Sequence, residues 1–218
     1  MSRYAIYFTA RGLPLADMGA RWLGWDIADA REIGSPVGGG ATAVPRKYGF
    51  HATLKPPFRL AGGQTEGSLA GAARAIAAEI APFSTGNLAL ARLGGFLALT
   101  VPPSPELDAM AARFVCALDA FRAPPSHAEL AKRRRRPLTP RQDQNLMAWG
   151  YPYVLEDFRF HMTLTGRLTK DDIAPIERSA TAHFAAALDA PLQVSSVTLC
   201  AERDDGRFIA LEEMPLSG

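Results

Sequence analysis

The phrase F-H-x-T-L occurs twice in this chain, at residues 50–54 and 160–164. A fold must give both copies the same local structure and bury the same side chains of each. Tyr48-Gly49 precedes one copy and Phe158-Arg159 the other, so both sit in β-prone surroundings. Side chains alternate faces along a strand with period 2. His51 and Thr53 therefore share one face, and Phe50, Ala52 and Leu54 the other. His161 and Thr163 stand in the same way against Phe160, Met162 and Leu164. Each strand has an apolar face to bury and a His/Thr face that can line a cleft. A single H-x-T triplet arises readily by chance, and a lone strand histidine is more often structural than catalytic. Recurrence in register changes the balance. A duplicated fold keeps Phe and Leu for its core, but burying His and Thr is costly unless they are paired. Two such strands facing each other bring together two imidazoles and two hydroxyls, a metal-free acid–base site.

The repeat is wider than the motif. A helix over 66–81 follows the first copy, with Leu69, Ala72, Ala73, Ile76 and Ile80 at helical spacing. A second helix follows the other copy, capped by Thr169, with Asp171 and Asp172 in its first turn, and runs to about Leu188. Each helix closes on a similar phrase, Ala81-Pro82-Phe83 or Ala190-Pro191-Leu192. Two strands come next in each half, 88–93 with 96–101 and 194–200 with 208–212. Gly94-Gly95 and Asp205-Gly206 supply their hairpin turns. The unit is strand, helix, strand, strand, and such duplication predicts two pseudo-symmetric lobes with the site between them. The expected organisation is a single bilobal domain over 1–218. Repeat one covers about 46–103, a helical insertion about 123–150, and repeat two about 156–214.

The remaining segments fill in around the repeats. Residues 3–8 read as an N-terminal strand, since the apolar run is too short for a signal peptide. A short helix is expected over 14–23. Residues 34–45, with three consecutive glycines, read as a flexible loop. Ser104-Pro105-Glu106 opens a helix whose buried side should include Leu107, Met110, Phe114, 116–118 and Phe121. Ser126 with Glu129, and Thr139 with Gln142, form two capping boxes inside the insertion, which ends at Gly150.

Charge and cysteine content exclude several classes. No apolar segment approaches the roughly 20 residues that cross a bilayer. The two cysteines, Cys116 and Cys200, form no metal-ligand spacing and no disulfide framework, so a cytoplasmic, metal-free protein is expected. A formal net charge of +2 gives no argument for nucleic acid. The basic run 132–136 (K-R-R-R-R) is either a solvated helix end or a capture site for an anionic substrate. An RNA track would want interleaved aromatics, which the run lacks.

The paired H-x-T strands resemble the signature of the 2H phosphoesterase superfamily. The phrases R-K-Y-G-F-H-A-T-L-K at 46–55, A-R-L-G-G-F at 91–96, W-G-Y-P-Y-V at 149–154 and F-R-F-H-M-T-L-T-G at 158–166 resemble its DUF1045 branch, associated with phosphonate metabolism. The resemblance covers nearly the whole chain. It implies an α+β, bilobal fold with two antiparallel sheets flanking a central cleft and helices outside. It implies His51 and His161 as catalytic residues and Thr53 and Thr163 as phosphate-binding hydroxyls. It further implies a hydrolase that opens a small cyclic phosphate of a sugar or nucleotide, without cofactor or metal. Imidazoles titrating near neutrality suit both proton transfers, and hydroxyl donors suit the non-bridging oxygens. Which histidine is base and which is acid stays open. An RNA-end 2′,3′-cyclic phosphodiesterase or 2′-5′ RNA ligase-like protein is the alternative reading, and a non-catalytic nucleotide-binding module the second. The expected partner is a small phosphorylated substrate or an RNA end, with no membrane, and a monomer is favoured. Further substrate contacts are expected from Lys55 and Thr165, on the His faces by alternation, from Tyr7, Tyr48 and Tyr153 by stacking, and from Arg92 and Arg159 as anion contacts. His127 and His183 read as helix-surface residues.

Overall fold

Element order follows the repeat. The computed structural model describes residues 2–37, 39–188 and 190–218. The first part of the chain forms β1 (Tyr4–Phe8), α1 (Pro14–Leu23), the two-residue strands β2 (Trp25–Asp26) and β3 (Arg31–Glu32), and α2 (Gly39–Arg46). Repeat one gives β4 (Ala52–Phe58), α3 (Glu66–Ala78), β5 (Phe83–Asn87), β6 (Ala89–Leu93) and β7 (Phe96–Thr100). The helices α4 (Pro105–Ala117), α5 (His127–Arg134) and α6 (Pro140–Trp149) come between the repeats. Repeat two gives β8 (His161–Thr163), α7 (Lys170–Leu188), β9 (Pro191–Val194), β10 (Ser196–Glu202) and β11 (Phe208–Pro215).

Seven strands make one sheet in the order β11-β10-β1-β4-β8-β7-β6, with every neighbouring pair antiparallel. The two expected sheets are the wings of this larger one, and they meet where β4 pairs with β8 at Ala52 and Met162. Each motif strand lies with the hairpin of the other repeat. β8 pairs directly with β7, while β4 reaches β10 and β11 through β1. The Pro-containing phrases after α3 and α7 open β5 and β9, which pair with each other, Phe83 opposite Val194, in a separate small sheet.

The apolar faces of both motifs enter one core. Phe50, Ala52, Leu54, Phe160, Met162 and Leu164 are all buried there, under Trp22 of α1, Leu69 and Ile76 of α3, Phe114 of α4 and Phe184 of α7. Burial of each such large side chain stabilises by about 1.5–3 kcal/mol. Gly19 lets α1 approach: a Cβ there would stand 2.0 Å from the Phe50 ring. Trp22 donates its indole N–H to the Leu164 carbonyl at 2.9 Å, tying α1 to the second motif. The opposite face of the sheet carries a smaller apolar cluster of Ala5, Tyr7, Trp25, Ile27, Cys200 and Phe208.

Two expectations are corrected. The stretch 34–45 is not all loop. α2 begins within it and is held by Gly166 N–H to the Ala41 carbonyl at 2.7 Å and by Arg46 Nε to the Leu23 carbonyl at 2.7 Å. Long-range contacts supply what its glycines lack in propensity; Gly38 lies outside the described residues. Cys116 is exposed and not on the buried side of α4, and Phe121 falls in a separate 3₁₀ turn, Asp119–Phe121. Both capping boxes of the insertion are present, and Gly150 closes α6 at φ 75° with its N–H on the Leu146 carbonyl.

Candidate active site

Antiparallel pairing through Ala52 and Met162 sets His51 across from Thr163 and Thr53 across from His161. All four side chains leave the sheet on the face opposite the core. They line a single cavity of about 260 Å³, with Arg3, Tyr7, Tyr48, Arg133 and Tyr151 among its other walls. Each of the four is half-buried.

Both imidazoles are held in the same way. His51 Nδ1 lies 2.9 Å from the Gly49 carbonyl, and His161 Nδ1 lies 2.7 Å from the Arg159 carbonyl. A carbonyl only accepts, so each Nδ1 carries the proton that it donates. In the neutral ring Nε2 is then an acceptor. His51 Nε2 stands 3.1 Å from Thr53 Oγ1, so that hydroxyl donates to it. Gly49, at φ 70°, supplies the turn that brings its carbonyl beneath the ring, a conformation that suits glycine.

His51 is stacked on Tyr7, with ring centroids 3.7 Å apart and planes inclined by 24°. Burial there, reinforced by the neighbouring His161, pushes the His51 pKa down to about 4, against the opposing pull of the Gly49 carbonyl. At neutral pH His51 is an unprotonated imidazole. Tyr7 itself is fully buried, and its hydroxyl has no hydrogen-bond partner. Burial holds that hydroxyl far above its ordinary pKa, so it stays protonated.

Several residues expected at the site lie elsewhere. Lys55 is buried on the opposite side, where Nζ donates to the Val115 carbonyl at 2.8 Å and lies 3.8 Å from Asp119. The register of β1 against β4 shifts between Tyr7–Thr53 and Ile6–Lys55. That irregularity breaks alternation at Leu54, so Leu54 and Lys55 are both buried and Pro56 reaches the cavity instead. Thr165 is also buried, accepting the Leu97 N–H at 3.0 Å. Arg92 forms a bidentate pair with Glu177 of α7, away from the cavity. Arg159 contributes its carbonyl to His161, and its side chain does not line the cavity. Tyr153 is exposed and meets Tyr151 edge to face, and Tyr151 is the one that faces the cavity. His183 is half-buried, bonded through Nε2 to the Met18 carbonyl at 2.8 Å, and not a surface residue as expected.

Arg3, Val44 and Pro45 had not been expected at the wall, whereas Arg133 belongs to the run read either as a solvated helix end or as an anion-capture site. Arg3 shares a strand face with Ala5 and Tyr7 by period 2, a signal present in the sequence. It pairs with Glu202 through Nε at 2.7 Å. Val44 and Pro45 close one side from α2. Arg133 comes from the basic run and lies 4.5 Å from the centroid of the Tyr151 ring. Among the described residues, no group of three or more His, Cys, Asp or Glu side chains is arranged to hold a metal ion. No helix among them is long and apolar enough to cross a membrane.

Residues 53–209 match the family model described as a protein of unknown function, DUF1045. The chain belongs to this family. Two curated relatives carry the name ribose 1,5-bisphosphate phosphokinase PhnN. The one from Janthinobacterium sp. (strain Marseille) is 42% identical over 233 residues, covering 100% of this chain and 51% of its own length. The one from Laribacter hongkongensis (strain HLHK9) is 37% identical over 201 residues, covering 88% of this chain and 46% of its own. The chain thus spans about half the length of the curated relatives it matches. Similar solved structures include a phosphoesterase, at a TM-score of 0.46 and 16% identity over the full length of both chains. Escherichia coli LigT complexed with 3′-AMP is similar at 0.46 and 15%, over 100% of this chain and 99% of that one.

Proposed function

We propose that this chain is a 2H phosphoesterase whose two repeats work as one bilobal unit. It opens a small cyclic phosphate by metal-independent acid–base catalysis. The observation that carries this reading is the side-by-side pairing of the two H-x-T triplets, which turns both imidazoles and both hydroxyls into one cavity. His51, neutral at pH 7, is the base. With a phosphate bound, the Thr53 hydroxyl turns to a non-bridging oxygen and frees Nε2 of His51 for a water molecule. That nitrogen takes the water proton as the water oxygen bonds to phosphorus. The ester P–O bond breaks, and His161 gives its proton to the departing alkoxide. Thr53 and Thr163 donate to the non-bridging oxygens, where hydroxyl donors stabilise the charge of the transition state.

The relatives' names speak of a phosphokinase of ribose 1,5-bisphosphate. None of the four lysines here follows a glycine, so the sequence has no G-x-x-x-x-G-K-[ST] phosphate loop. We assign the kinase chemistry to the half of those relatives that this chain does not span. A role beside it in phosphonate metabolism would make a ribose cyclic phosphate the natural substrate.

The test is a panel of nucleoside 2′,3′-cyclic phosphates, ribose cyclic phosphates and RNA ended by a cyclic phosphate, assayed after exhaustive EDTA treatment. Ring opening of a small member with undiminished rate is expected. Activity abolished by EDTA and restored by zinc or manganese would refute the two-histidine reaction.

A further inference from the structure

The cleft does not end at the histidines. Arg3, Tyr48, Pro57 and Arg133 line the catalytic cavity and also a second cavity of about 240 Å³, so the two adjoin. Five cationic side chains line the second space: Arg3, Arg59, Arg122, Lys132 and Arg133. Three of them are neutralised by carboxylates, Arg3 by Glu202, Arg59 by Glu129 and Arg122 by Asp119. Lys132 and Arg133 pair with no carboxylate among the described residues.

Their placement follows from α5. Glu129, Lys132 and Arg133 stand at i, i+3 and i+4, which is one face of a helix. Glu129 closes the capping box of α5 with Ser126 and grips Arg59, at the end of β4, through two bonds of 2.6 and 2.8 Å. The contact that docks the helix on the sheet therefore turns Lys132 and Arg133 toward the cavity. Arg134, on another face, pairs with Asp143 of α6.

We infer that the second cavity binds a second anionic group of the substrate, a phosphate monoester on the same small molecule as the cyclic phosphate. The inference rests on the cyclic-phosphate reading of the neighbouring histidines. A phosphate monoester is close to a dianion at neutral pH, which matches the two uncompensated cations. The planar guanidinium of Arg133 suits a phosphate through two parallel N–H bonds, and Lys132 adds a point charge. Leu146 and Gly150 of the insertion also line the space. A single-stranded nucleic acid would instead be tracked by a groove with successive stacking platforms. Arg133 lines both cavities and so stands between the two phosphates.

The experiment compares kcat/KM for adenosine 2′,3′-cyclic phosphate, its 5′-phosphorylated counterpart and a short RNA ended by a cyclic phosphate, in the wild type and Lys132→Gln. The 5′-phosphate should raise kcat/KM roughly 10- to 100-fold, the range of one or two charge-assisted hydrogen bonds. Lys132→Gln should shrink that ratio by about tenfold. Equal rates on the two nucleotides would overturn the second subsite and leave the cyclic phosphodiesterase reading standing. A preference for the RNA over the 5′-phosphorylated nucleotide would overturn it in favour of a polynucleotide. If no cyclic phosphate is opened, the reading of the histidines fails, and the subsite is then read by calorimetric titration with ribose 5-phosphate. Binding at least tenfold weaker in Lys132→Gln/Arg133→Gln supports it, and no binding or equal binding overturns it.

Discussion

At the residue scale, His51 is set apart by its surroundings. Tyr7 covers one face of its ring, and burial lowers its pKa to about 4. As the base of the proposed reaction His51 must be unprotonated, so the acid limb of kcat/KM should fall near pH 4 and not near the ordinary 6.5. Tyr7→Phe keeps the stacked ring and should leave that limb in place. It should also raise Tm, because it removes a buried hydroxyl that has no partner. Tyr7→Ala admits water and should move the limb up toward 6.5. A wild-type limb already at 6.5, or no shift in Tyr7→Ala, would contradict the role given to burial. The sign for stability is the same. The unfolded chain binds a proton on this imidazole below 6.5, and the folded one resists it until about pH 4. Stability is therefore full above 6.5 and is lost as pH falls through this window, by about 1.4 kcal/mol per unit at most. The four H-x-T residues were legible in the sequence because period 2 fixes faces over three residues. The stacking of Tyr7 on His51 is a contact between strands and left only a list of candidate tyrosines.

At the scale of elements, the misplacement of Lys55 shows what periodicity misses. Alternation counts residues, whereas a register shift in the β1–β4 ladder changes which face a count lands on. Nothing in Leu54-Lys55-Pro56-Pro57 announces the irregularity except the two prolines, which cannot donate to a ladder. Lys55→Met should leave kcat/KM within about twofold of wild type. It should destabilise by about 1–3 kcal/mol, because the Val115 carbonyl loses its donor. A tenfold or larger loss of kcat/KM without a change in Tm would return Lys55 to the substrate. Helices were read more accurately than loops. Caps at Ser104, Ser126 and Thr139 are local chemistry and mark helix starts to the residue. α2 has no such mark, since tertiary bonds to Gly166 and Leu23 hold it.

At the scale of the molecule, duplication predicted the motif strand, helix and hairpin of each half but neither the short strands β5 and β9 nor the assembly. Each motif strand crosses to the other repeat's hairpin, and the sheet is continuous only through the Ala52–Met162 pair. Strand partners distant in sequence leave no periodic trace, so this exchange could not be read from the repeat. Its consequence is functional: the two motifs adjoin at the middle of the sheet, and neither repeat builds the cavity by itself. The basic run likewise acquires its meaning from the docking of α5 on Arg59 and not from its own composition.

The most direct measurement is kcat on a small cyclic phosphate in the wild type, His51→Ala, His161→Ala and the double variant. In the proposed reaction one imidazole takes the water proton and the other protonates the departing alkoxide, so each replacement should cost on the order of 10²–10⁴-fold. The double variant should lose little more than either single one, because the pair acts as a unit. Losses that multiply in full, or one single variant that keeps wild-type turnover, would contradict a shared two-histidine reaction.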